Sequence, residues 1–157
     1  MKEIYGATVV ALIALAGLAA PSTADAQAGT PKKLFACSLG KKSVSVTAVG
    51  SRLTYQFGTP AKVEMAIIGS AGQGNVFYRS DRYAGMEYQI RFANGPYSYI
   101  VYSMEGNGRT GAAASSGLVV MKGTKTIADM PCLRYTEFSA NFDYDALPQD
   151  DEAHSAM

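Results

Sequence analysis

Apolar and polar side chains alternate with a period of two in short runs along most of this chain, the pattern of strands with one buried face. Val44, Val46 and Ala48 alternate with Ser43, Ser45 and Thr47, and Leu53, Tyr55 and Phe57 repeat the pattern after a turn at Gly50-Ser51. Val63, Met65 and Ile67 follow, and then a glycine-rich loop over residues 69–75. Residues 76–78, 86–92 and 97–104 give three more strands, the last two joined by the turn signal Asn94-Gly95-Pro96. After Gly106-Asn107-Gly108, residues 118–121 and 126–132 supply the closing strands on either side of a turn at 122–125. About eight short strands, with no helix-period stretch before residue 133, predict an all-β fold: an antiparallel β-sandwich or small barrel. Beyond it, Leu133, Tyr135, Phe138, Phe142, Tyr144 and Leu147 can dock an irregular or briefly helical extension, with disorder expected past Pro148.

The N-terminal stretch breaks this pattern. Lys2 precedes an apolar run from Ala7 to Ala20, and Ala24-Asp25-Ala26 places small residues at the two positions a signal peptidase reads. The run is shorter than the roughly 20 residues that span a bilayer. Residues 1–26 therefore read as a cleaved export signal, 27–132 as the β domain and 133–157 as an extension with an acidic tail. The expected location is periplasmic or secreted, with no membrane span in the mature chain.

Charge is unevenly distributed. Residues 27–142 hold 13 basic against 6 acidic side chains, whereas Asp143, Asp145, Asp150, Asp151 and Glu152 follow with no Lys or Arg. The basic body suits an anionic partner with which the tail competes; alternatively the tail is a solvated end that aids solubility. Nucleic acid is not expected as a partner, since export removes the chain from it and the basic residues form no dense run.

Cys37 and Cys132 are the only cysteines. In an oxidising compartment an isolated pair near the two ends of a domain is most simply a disulfide, here tying the first strand to the last. Metal thiolates and a redox pair are the alternatives, with no CxxC to support them and the single histidine, His154, in the tail.

Catalytic signals are sparse. Gly106-Asn107-Gly108-Arg109-Thr110-Gly111 matches GxGxxG, but a dinucleotide site needs a βαβ unit, and the flanking sequence reads as a hairpin loop. Ser38-Leu39-Gly40-Lys41 has the S-x-x-K spacing without the S-D-N and K-T-G partners of that chemistry. Asp143-Tyr144-Asp145 opens like a calcium loop, yet Pro148 stands at position six and His154 at position twelve. Glu64, Asp81, Glu87, Glu105 and Asp129 are scattered, each a plausible surface partner for a nearby base. No cofactor is implied.

Tyrosine is the enriched side chain, with ten copies and no tryptophan. Tyr78, Tyr83, Tyr88, Tyr97, Tyr99 and Tyr102 cluster in the central strands and interleave with Arg79, Arg82 and Arg91; Tyr97 and Tyr99 share one face, Tyr102 the other. Either these rings pack the core and pair across strands, or one row is an exposed platform, since Tyr with Arg is the pairing enriched at binding hot spots.

Three segments carry a resemblance. Gly40-Lys41-Lys42-Ser43-Val44-Ser45-Val46, Leu53-Thr54-Tyr55-Gln56-Phe57-Gly58 and Gly117 to Cys132 resemble the "GKKxVxV", "LxYxFG" and "GLxVxKGxKxIAxxxC" segments of a group of small exported bacterial domains with one disulfide. Periplasmic lysozyme inhibitors are a more distant analogy, although Ser116-Gly117-Leu118-Val119-Val120 lacks the tyrosine of their S-G-x-x-Y stretch. That group has no settled function; the export signal, the absence of an assembled catalytic set and the Tyr/Arg interleaving point to a non-catalytic binding protein of the cell envelope, acting on an envelope glycan or an exported protein, with inhibition of an envelope-directed hydrolase the role that the analogy implies. The competing expectations are an envelope hydrolase whose carboxylates converge in the fold, and a purely structural envelope protein without a concave aromatic patch.

Overall fold

The computed structural model describes residues 29–82 and 85–152, so the export segment, Tyr83 and His154 lie outside the described residues. Nine strands form two antiparallel meanders. β1 (Lys32–Ser38), β2 (Ser43–Val49), β3 (Arg52–Thr59) and β4 (Lys62–Gly69) make a four-stranded sheet in sequence order. β5 (Val76–Arg82), β6 (Met86–Asn94), β7 (Tyr97–Met104), β8 (Ser115–Lys122) and β9 (Lys125–Pro131) make a five-stranded sheet, also in sequence order. The two pack face to face as a sandwich.

Alternation sets the core. From the four-stranded sheet, the row Phe35, Val46, Tyr55 and Ile67 points inward; from the five-stranded sheet, so do Val76, Phe92, Tyr99 and Val120, with Tyr78, Ile90, Val101 and Leu118 beside them. Tyr55 bridges the layers, its ring 5.5 Å from those of both Phe92 and Tyr99. Three two-residue turns, Gly50-Ser51, Gly95-Pro96 and Gly123-Thr124, put glycine with φ near +57° at their first position, where a Cβ would be strained.

β1 departs from the alternation rule at a bulge. In β1 the register shifts between Lys33 and Phe35, leaving Leu34 without a cross-strand partner, so consecutive Leu34 and Phe35 are both buried. This bulge is why the sequence pattern becomes legible only from residue 43.

β7 is the centre of the five-stranded sheet and is buried on both faces. On the outer face Ile100, Tyr102 and Val119 form a second apolar cluster. Tyr102 lies across Gly117, its partner in register; a Cβ there would sit 2.9 Å from the tyrosine ring and 2.6 Å from the Met130 carbonyl oxygen. The ring fills the space the glycine leaves.

The Cys37–Cys132 disulfide is formed, with Cα atoms 5.6 Å apart. It links β1 to the residue just after β9 and so joins the two sheets. From there residues 133–150 run as a strap. Leu133 and Ser139 donate backbone N–H to the carbonyls of Ser38 and Leu34, each at 2.8 Å, along the free edge of β1. Past a short 3₁₀ turn (Tyr144–Ala146) the strap reaches the free edge of β5: the Tyr78 N–H donates to Pro148 O at 2.9 Å, and the Asp150 N–H donates to Tyr78 O at 2.8 Å. Those two bonds make a parallel bridge that covers part of an otherwise open edge.

The expectation of disorder past Pro148 is departed from at residues 149–152, while residues 153–157 lie outside the described residues. Leu147 belongs to the main core, and Asp150 is 3% exposed. The reason is Arg91, whose Nε and Nη2 donate to the two Asp150 carboxylate oxygens at 2.8 Å each while Phe77 stacks beneath the guanidinium at 4.2 Å. Burial alone would lower the Arg91 pKa, but the bond from Asp150 and the charges of Asp150 and Glu152 raise it above its ordinary value. Two of the five tail carboxylates thus pair with Arg91, Asp150 buried at 2.8 Å and Glu152 exposed at 3.5 Å.

Reduction of the disulfide is expected to lower the melting temperature by about 10 °C or more, since a loop of this length is worth about 4 to 5 kcal/mol in the chain-entropy model. Titration of the denatured, unreduced chain should find no thiol; two free thiols would contradict the linkage. Asp150→Ala removes the buried partner of Arg91 and leaves it only the exposed Glu152 carboxylate at 3.5 Å, a loss of up to about 3 to 5 kcal/mol. Amide exchange at Tyr78 should quicken in that variant, and unchanged protection together with an unchanged melting temperature would show that the pair does not hold the strap.

Candidate functional site

The inner face of the five-stranded sheet ends in a row unlike the others. Ser80, Tyr88, Ser103 and Ser116 stand side by side in register, small and polar where the neighbouring rows are bulky and apolar. Three serines leave space beside Tyr88, and the strap roofs it. The Cys132 N–H donates to Ser116 O at 2.8 Å and the Thr136 N–H to Ser116 Oγ at 2.9 Å, which fixes the strap over this row.

Beneath the roof is a half-open cavity of about 250 Å³. Tyr78, Tyr88 and Ser103 line it from the sheet, Tyr135, Phe138 and Tyr144 from the strap, and no residue of the four-stranded sheet contributes. The rings brace one another. Tyr144 stacks on Tyr78 at 5.2 Å and meets Phe138 and Phe142 edge-on at 5.8 and 5.0 Å, while Phe138 rests on Phe35 at 5.0 Å. Phe138 and Tyr144, both in the cavity wall, stand at 64° to each other.

Glu105, just after β7, and Glu137, on the strap, also line the cavity. Ser103 Oγ donates to the Tyr135 hydroxyl at 3.4 Å. The Tyr135 phenol is raised above its ordinary pKa chiefly by burial; the Ser103 bond lowers it, and the charges of Glu137 and then Glu105 raise it. Both carboxylates thus act on one phenol. Burial likewise raises Tyr78 and Tyr144, so the three phenols stay protonated donors across the physiological range.

Of the described tyrosines and arginines singled out in the central strands, Tyr78 and Tyr88 line this cavity. Four of the eight candidate binding residues are buried rather than displayed. Tyr78, Tyr99, Tyr102 and Arg91 are all under 10% exposed, because inner-face rings face the opposite sheet, Tyr102 covers Gly117 and Arg91 is committed to Asp150. Tyr97 is half-buried against Tyr99, with Lys122 Nζ 5.7 Å from its ring centre. Arg79 pairs with Asp81 on its own strand, and Arg82 is exposed beside Glu105 and the Gly106–Gly108 loop.

Sequence reasoning noted Tyr135, Phe138 and Tyr144 only as docking residues and passed over Ser103 and Glu137. The signal was the aromatic density after Cys132, which exceeds what a tether needs. Other motifs resolve simply. The GxGxxG segment is the β7–β8 loop, closed by the Asn107 N–H donating to Ala112 O at 2.9 Å, between antiparallel strands. Ser38 to Lys41 enters the β1–β2 turn, not a helix, and no group of three His, Cys, Asp or Glu side chains placed to hold a metal occurs among the described residues.

A larger hollow of about 620 Å³ lies on the outer face between the β6–β7 and β8–β9 turns. None of its lining residues is aromatic, and its one guanidinium, Arg91, is already neutralised. No family model, curated protein or solved structure matches the chain.

Proposed function

We propose that this chain is an exported, non-catalytic binding protein of the cell envelope, and that the cavity between the β5–β7 end row and the strap is its ligand site. The observation that carries the reading is the cavity itself: a concave, aromatic-walled space with a few convergent polar groups is the usual form of a small-ligand site. The disulfide supports an oxidising compartment, and the export-signal pattern at the N-terminus points the same way. Among the described residues no helix is long and apolar enough to cross a membrane. A purely structural protein has no use for such a hollow.

An envelope hydrolase is the second reading, favoured by Glu105 and Glu137 lining one cavity. Both are exposed, whereas a paired-carboxylate mechanism sets its acid in an apolar, desolvated place and its partner in a polar one. Ser103 has no imidazole among its cavity neighbours to act as a base. Inhibition of an envelope-directed hydrolase remains within the binding reading, if the enzyme presents a side chain or substrate group that enters the cavity.

Ala140 stands exposed at the cavity wall, outside the core, so Ala140→Trp should fill the space without unfolding the domain. Capture from envelope extract, compared between wild type and this variant by mass spectrometry, should lose specific species in the variant. Identical capture by the two proteins would place binding elsewhere. Recovery of the captured ligand cleaved instead of intact would favour the hydrolase.

A further inference from the structure

The charge around the cavity runs against the charge of the protein. The body from residue 27 to 142 is strongly basic, yet none of the residues lining the cavity is Lys, Arg or His, and two are glutamates. We propose that the cavity binds a small organic cation, an alkylated or quaternary ammonium group on a free solute; this rests on the ligand-site reading above. Aromatic faces attract such cations through the ring quadrupole, more strongly once the cation is desolvated. Glu105 and Glu137 supply the formal counter-charge at the same place.

Geometry narrows the alternatives. At about 250 Å³ the space falls below the roughly 300 to 1,000 Å³ typical of drug-sized ligands, which suits a head group and not an oligosaccharide. A sugar ring stacks on an open flat face; here Tyr78 and Tyr144 already stack on each other, and Phe138 meets Tyr144 edge-on. An anion would face two carboxylates with no cationic lining residue. The phosphate of a zwitterionic lipid headgroup meets the same repulsion, so a free ammonium solute is the better fit. The protonated phenols of Tyr78, Tyr135 and Tyr144 leave their ring faces electron-rich while adding no charge.

The test is a titration of the disulfide-bonded protein with choline chloride and with the neutral alcohol in which carbon replaces the choline nitrogen. Binding is read by isothermal titration calorimetry, which serves the native chain and every variant alike, including one that gains an indole chromophore. Choline should bind roughly tenfold or more tightly than its neutral counterpart. The double variant Glu105→Gln/Glu137→Gln should weaken choline severalfold while leaving the alcohol unchanged, the rings keeping a residual choline preference, and Ala140→Trp should abolish both signals, with circular dichroism confirming that each variant is folded. Equal affinity for choline and the alcohol, or full choline preference in the double glutamine variant, overturns the cation assignment; if Ala140→Trp still blocks both ligands, the ligand-site reading survives it. Failure of wild type to bind choline overturns the assignment outright, and the capture experiment then judges the site independently.

Discussion

A buried guanidinium must have a carboxylate, because leaving it unpaired in a low-dielectric setting costs several kcal/mol. Arg91 lies on the outer face of the five-stranded sheet and takes Asp150 from 59 residues further along the chain. The pairing has consequences well beyond the two side chains. It fixes the far end of the strap, as the disulfide fixes its near end, and the aromatic residues between the two anchors are thereby held over the serine row. Without that span the row Ser80, Tyr88, Ser103 and Ser116 would be an uncovered end of the inner face, and the cavity would be open sheet.

The sandwich was legible because alternation in β2, β3, β4 and β6 is nearly unbroken, and because glycine turns mark the hairpins between β2 and β3, β6 and β7, and β8 and β9. The disulfide was legible because only two cysteines exist. The site was less so, for two physical reasons. Period-two alternation tells which face a residue takes but not whether that face is covered; Tyr99 and Tyr102 point to opposite faces as expected, yet both are buried, since β7 is central and Gly117 receives the Tyr102 ring. A local pattern also carries no sign of a contact made across 59 residues, so Asp150 reads as one more acid in a hydrophilic tail. Glu137 is hidden in the same way, its role depending on the strap's path and not on its neighbours in sequence.

The cavity joins two surfaces of different character. Its floor belongs to hydrogen-bonded strands at the centre of a sheet, whereas its roof is irregular chain with few backbone bonds between Ser139 and Leu147; Tyr144 is steadied there by its hydroxyl donating to Ser139 O at 2.8 Å and by the rings around it. Local opening is least costly where backbone bonding is sparse, so the roof is the part that can adjust to what enters. A ligand that touches both floor and roof adds its binding energy to the docking of the strap, and the strap is docked through Arg91 and Asp150 on the other face of the sheet. The segregation of charge then has one structural account. Acidic residues after Asp143 satisfy a buried base on the outer face, Glu105 and Glu137 leave the inner cavity negative, and the remaining basic side chains stay outside that cavity.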